Sequence, residues 1–216
     1  MKLNVTRASA LIVIGTMSFP AAHAWTSQDG PFTRAVHQRA IDFALPQVPT
    51  VDRDVLKEQQ ALIDKDQRAD QSAEHAMTGL SSKDETEAVQ RPLYIEACDQ
   101  LIRKSLDRAR TDELSGKHSQ ALIELSKAIH AMTDSTSPAH MGFQTWSFQE
   151  GIVEMAHHIL QERYYPDDNT NARYRSHLQG AIRYAYDIFS GTTALPDHFF
   201  DSGNNGVLIL PDMYLL

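Results

Sequence analysis

The chain has 216 residues, of which 42% are hydrophobic and 22% charged, with a formal net charge of −8, ten histidines and a single cysteine. This length suits one domain with a substantial core, and one cysteine excludes an intrachain disulfide. The acidic balance disfavours a broad electrostatic grip on a polyanion, although bound divalent cations would offset it locally.

Residues 1–24 read as a secretory signal: Lys2 and Arg7 form a basic start, Ala8 to Met17 an apolar run, and Ala22 and Ala24 flank His23 as small residues. The reading predicts a secreted or periplasmic product that begins at Trp25 and occupies 25–216 as one domain. Losing two basic residues and no acidic one moves the net charge from −8 to −10. The apolar run falls short of the roughly 20 residues a membrane-spanning helix needs, and no later segment reaches that length.

Helical periodicity dominates the chain beyond Trp25. Val36, Ala40, Ile41, Ala44 and Leu45 form an amphipathic stretch ended by Pro46, and Val55, Leu56, Leu62 and Ile63 a second. Leu93 to Leu106 gives a third, and Cys98 within it reads as a small buried hydrophobe. Ala121 to Met132 gives a fourth, Ile152 to Leu160 a fifth and Leu178 to Phe189 a sixth. Loops are expected at 46–50, 78–87, 112–116, 165–170 and from Gly191 onward, and no run alternates strongly enough to demand a sheet. The prediction is an all-α single-domain bundle. Its apolar terminus, Val207 to Leu216, is expected to dock on the bundle rather than enter lipid.

The most informative segment runs from His130 to His140. His130 and Asp134 stand four residues apart on the fourth helix, so an imidazole and a carboxylate share one face and can grip one ion. Pro138 closes the polar segment after Asp134, and a turn there can swing His140 toward the same cavity. A capped helix followed by a loop with incidental histidines is the bland alternative. Against it, His158 and Glu162 repeat the four-residue spacing, while His157 lies about 100° around the helix and reads as a neighbour. Upstream, Asp64, Asp66 and Asp70 precede His75 in a polar stretch, and His37 lies on the first helix. Ligands drawn from several helices would organise the bundle around a metal.

These residues resemble the zinc-dependent phospholipase C family, whose superfamily includes single-strand nucleases of the S1/P1 type, over Trp25 to about Glu162. The matching features are Trp25 at the expected mature start, His37 a dozen residues on, Asp66 before His75, the His130-x3-Asp134 pair followed by Pro138-x-His140, and His158-x3-Glu162. Asp64 is the rival to Asp66. The chain departs from the family at Ala61, where a glycine is common, and at Ala76, where an aromatic residue often follows the histidine. The resemblance implies three zinc ions: Trp25 and His37 on one, Asp66, His75 and His130 on another with Asp134 bridging the two, and His140, His158 and Glu162 on the third. It implies that Asp66 also orients or deprotonates a zinc-bound water, whose pKa falls from near 16 toward about 7.

The implied activity is phospholipase C cleavage of phospholipid headgroups, the substrate being met at a membrane surface and no stable nucleic-acid complex being formed. The same ions would serve a single-strand nuclease, for which Phe143, Trp146 and Phe148 offer stacking surfaces. A non-catalytic helical protein stapled by metal is a third reading.

Overall fold

The computed structural model describes residues 36–66, 68–79, 87–144, 153, 172–204 and 206–215. Helix α1 (Val36–Ala44) buries Val36, His37, Ala40, Ile41 and Ala44 along one stripe, the pattern of a helix laid on a core. The chain leaves it at Leu45, just before Pro46, whose ring disfavours helix in the residue preceding it. Helix α2 (Thr50–Ile63) follows Pro49, carries Asp52 in its first turn where the helix dipole favours an anion, and buries Leu56 and Gln60. A 3-10 segment (Ala69–His75) then ends at Ala76, which takes the left-handed conformation at φ 49°.

Helix α3 (Glu87–Leu114) is longer at both ends than the periodic stretch around Leu93 to Leu106 implied. It stops where Gly116, at φ 74°, turns the chain, and the Lys117 amide reaches back to the Asp112 carbonyl at 2.8 Å. Glycine suits this position because a left-handed helix end carries no Cβ penalty there. Helix α4 (His118–Asp134) is the central element: it packs most extensively on α3 and also on α2 and on helix α5 (Ala172–Ser190), while α1 lies across α5 and α2. Every residue from Ala128 to Asp134 is buried, so the last turns of α4 are enclosed on all sides. Buried polar groups in such a place need partners, and those partners mark out the candidate site.

The fold is all-α and forms one domain, and among the described residues the only sheet is a hairpin of two two-residue strands. Strand β1 (Phe200–Asp201) pairs antiparallel with β2 (Val207–Leu208), Phe200 facing Leu208 and Asp201 facing Val207. Strands this short carry too few residues to show alternation, which is why periodicity did not reveal them. The terminal segment docks as expected: Leu208, Leu210 and Tyr214 are buried, the Tyr214 hydroxyl donates to Asp187 at 2.8 Å, and Arg183 donates to the Tyr214 carbonyl. Cys98 lies in the core, where burial pushes its thiol well above the ordinary value. Among the described residues no helix is long and apolar enough to cross a membrane. The fifth expected helix around Ile152 to Leu160 and the 165–170 loop lie outside the described residues, apart from Val153.

Candidate metal centre

Four segments converge at the C-terminal end of α4. α1 supplies His37, the end of α2 supplies Asp64, the 3-10 segment supplies His75, and α4 supplies His130 and Asp134; all five are buried. Their ligand atoms form two overlapping groups, His37, Asp64 and His130, and His75, His130 and Asp134, each lying within 4.8 Å of one another. Atoms sharing a tetrahedral ion at bond lengths near 2.0–2.1 Å stand about 3.3 Å apart, close to the 3.2 Å that separates His75 Nδ1, His130 Nε2 and Asp134 Oδ2 from one another.

Asp134 is the hub. Its Oδ1 lies 3.0 Å from His37 Nε2, and its Oδ2 lies 3.2 Å from both His75 Nδ1 and His130 Nε2. The sequence spacing explains the last contact, since His130 and Asp134 share a helix face. Asp64 Oδ1 approaches His130 Nε2 at 3.5 Å from the other side.

Each imidazole is anchored through its other ring nitrogen. His130 Nδ1 donates to Gln60 Oε1 at 2.8 Å, and His75 Nε2 to the Asp66 carbonyl at 3.2 Å. His37 Nδ1 faces Thr133 Oγ1 at 3.1 Å. That hydroxyl spends its proton on the carbonyls of Ile129 and His130, so it accepts from His37. Anchoring of the distal nitrogen is how proteins orient histidine ligands and fix their tautomer. In their neutral forms, His37 and His130 anchored in this way point a bare ring nitrogen at carboxylate oxygens.

That arrangement is unfavourable unless a positive species sits among the atoms. Burial pushes His130 down to about 4 despite the attraction of Asp134, so it is neutral near pH 7. Burial also works to raise Asp134, but positive charge and N–H donation from the surrounding histidines hold the carboxyl well below its ordinary range, a condition that bare ring nitrogens alone would not meet. His75 differs: burial opposes its protonation, yet the hydrogen bond and charge of Asp134, with the charge of Asp64, raise its proton affinity above the ordinary histidine value. One proton on His75 can serve His130 Nε2 and Asp134 Oδ2, both 3.2 Å from its Nδ1. On the other side of the carboxylate, Asp134 Oδ1 stands 3.0 Å from His37 Nε2. The buried imidazole nitrogens and carboxylate oxygens that face one another here could hold a metal ion.

His140 joins from the turn after α4. Thr136 and Ser137 amides bond the Thr133 and Asp134 carbonyls, and Ser135 and Thr136 hydroxyls bond the carbonyls of Met132 and Thr133, so the helix end is satisfied locally. Further turns then run through Ser137 to Phe143, and the Gln144 carbonyl accepts from the Thr78 amide at 3.0 Å, tying this loop to the segment after His75. His140 Nδ1 donates to the His75 carbonyl in a short hydrogen bond. The expected swing at Pro138 therefore brings His140 to the edge of the cluster.

Of the upstream aspartates it is Asp64 whose carboxylate joins the cluster, whereas the Asp66 side chain, expected as the ligand, turns away from it. The Asp66 side chain is 38% exposed and pairs with Arg68 at 2.7 and 2.8 Å, which holds it below the usual carboxylate range. Only its backbone carbonyl reaches the site. The reason is helical register: Leu56, Gln60 and Asp64 follow one another at intervals of four, so the buried face of α2 ends in Asp64, whereas Asp66 lies beyond the helix end. That same stripe would have singled out Gln60, which the sequence reading missed along with Thr133. Phe143 is also reassigned: it is fully buried, edge-on to Phe200, and offers no stacking surface. Trp25, His158 and Glu162, with Trp146 and Phe148, lie outside the described residues. No family model matches this chain, and no curated protein or solved structure matches it.

Proposed function

We propose that the chain is a zinc-dependent phosphodiester hydrolase acting on phospholipid headgroups, released from its signal at Trp25. One observation carries the reading: His37, His75 and His130, from three separate segments, each tie one ring nitrogen to a hydrogen-bond acceptor and present the other to the shared carboxylate of Asp134. A carboxylate with both oxygens facing imidazoles suits a bridge between two ions, the role the phospholipase resemblance assigns to Asp134. His140 beside this cluster, with His158 and Glu162, would complete the third site in that scheme.

Bound zinc supplies a water acidified toward neutral pH and positive charge to hold phosphoryl oxygens. The chain's own part is to hold the ions and exclude bulk water around them. In this reading Asp64, buried against His130, would serve in place of Asp66 as ligand and as the group that orients the attacking water. Asp134 keeps its negative charge because the surrounding imidazoles favour it.

The test is metal content by mass spectrometry on protein that begins at Trp25, with hydrolysis of phosphatidylcholine and of single-stranded DNA measured on the same sample. Near three zinc per chain with chelator-sensitive lipid cleavage supports the proposal. DNA cleavage instead would move the substrate to nucleic acid, zinc without turnover would leave a metal-stapled scaffold, and a folded zinc-free protein would overturn the reading.

A further inference from the structure

Gln60 is fully buried on α2, and its side-chain amide makes its hydrogen bonds to Ser126 and His130 of α4. Ser126 Oγ donates to the Leu56 carbonyl at 3.2 Å, so its oxygen is left as an acceptor. The group of Gln60 that lies 2.7 Å from Ser126 Oγ and 2.9 Å from the Ser126 carbonyl must be a double donor, which only the amide nitrogen is. Gln60 Oε1 is thereby turned toward His130, and an amide oxygen only accepts. His130 must therefore carry a hydrogen on Nδ1, and its neutral ring keeps Nε2 bare.

We propose that Gln60 is the positioning residue that fixes the tautomer of His130, and that it does so from α2 before any cation enters. The device links two helices: the Ser126 end of the relay sits one helical turn before His130 on α4, so the amide is held at two points of one helix and cannot flip without losing both donor bonds. A flipped amide would aim its NH2 at Nδ1, move the ring hydrogen to Nε2 and direct it into the space shared with Asp134, His75 and Asp64. The alternative role for Gln60, a mere tie between α2 and α4, would place no demand on which amide atom meets the imidazole. The role of Gln60 rests on the metal reading of the cluster but reads out independently of turnover.

The test is a long-range proton–nitrogen correlation spectrum of the histidine rings in the full chain, taken without metal and then with zinc alone. The expected result is His130 protonated at Nδ1 in both, with Nε2 bare before zinc is added. Gln60→Met keeps the side-chain length, removes the amide, and is expected to shift His130 toward the other tautomer and weaken zinc binding about 10- to 100-fold. Ser126→Ala, a milder change that removes one of the two donor contacts, should give a smaller shift in the same direction if Gln60→Met does not fold. A wild-type His130 protonated at Nε2, or variants with unchanged tautomer and zinc affinity within about two-fold, would overturn the proposal. Loss of the phosphodiesterase reading would instead show as absent turnover with this spectrum intact.

Discussion

The carbonyl oxygen of Asp66 accepts from His75 Nε2 at 3.2 Å, while the carboxylate of the same residue turns outward to Arg68 at 2.7 Å. The backbone of residue 66 thus serves the cluster and its side chain does not. Asp66→Ala should therefore leave zinc affinity within about two-fold and stability within about 0.5 kcal/mol, as for ordinary surface changes. Asp64→Asn should lose at least one equivalent of zinc. Equal metal content in both variants, by mass spectrometry, would contradict the assignment of Asp64.

Metal uptake should release a proton. His75 binds its proton more tightly than a free histidine because of Asp134 and Asp64, and a cation on Nδ1 must displace it. Zinc affinity should fall as pH drops below the raised value of His75, and calorimetry in buffers of different ionisation enthalpy should report proton release at pH 7. Pairing in the metal-free cluster has the opposite acid limit: Asp134 is held well below its ordinary value, so its contribution to stability is present above the usual carboxylate range and is lost only as pH falls through that depressed value.

His118, the first residue of α4, bridges the end of α3 and α2, with Nδ1 2.7 Å from Glu113 and Nε2 3.1 Å from Asp52. These two hydrogen bonds raise its proton affinity above the ordinary 6.5. A raised histidine stabilises the fold fully below its unfolded value and loses that contribution as pH rises through the folded one. The side chain is 48% exposed, so solvent screening keeps the effect below about 1 kcal/mol. His118→Ala should lower the thermal midpoint at pH 5.5 and leave it nearly unchanged at pH 9.

Gly206 packs the terminal hairpin against the loop that carries His140. It holds φ at 74°, and a Cβ there would stand 2.6 Å from Phe143 Cδ2 and 2.8 Å from Ile95 Cγ1. Phe143 is itself fully buried at φ 53°, three residues beyond His140, and has little room to yield. Gly206→Ala should cost about 2 kcal/mol or more from strain and overpacking together, measurable by chemical denaturation. Gly203→Ala, where the nearest atom would be the Asp201 carboxylate at 3.4 Å, is the control and should be nearly neutral.

The helices were legible because burial along a helix imposes its own period: Val36, Ala40, Ile41 and Ala44 face the core for the same geometric reason that they recur in the chain. His130 and Asp134 were legible as a pair for that reason too, since one helix places residues four apart side by side without help from the rest of the fold. The choice between Asp64 and Asp66 was not, because it depends on where α2 ends and which way the chain departs, and both residues look equally polar in the sequence. The ring nitrogen that each histidine presents was further out of reach. It is set by Gln60, by Thr133 and by a backbone carbonyl, three acceptors brought to the imidazoles by packing. Local spacing by itself determined which side chains can act together on one helix; the tertiary structure decided which segments meet and which atom of each faces inward, because those depend on helix ends and on contacts between residues 9 to 96 positions apart.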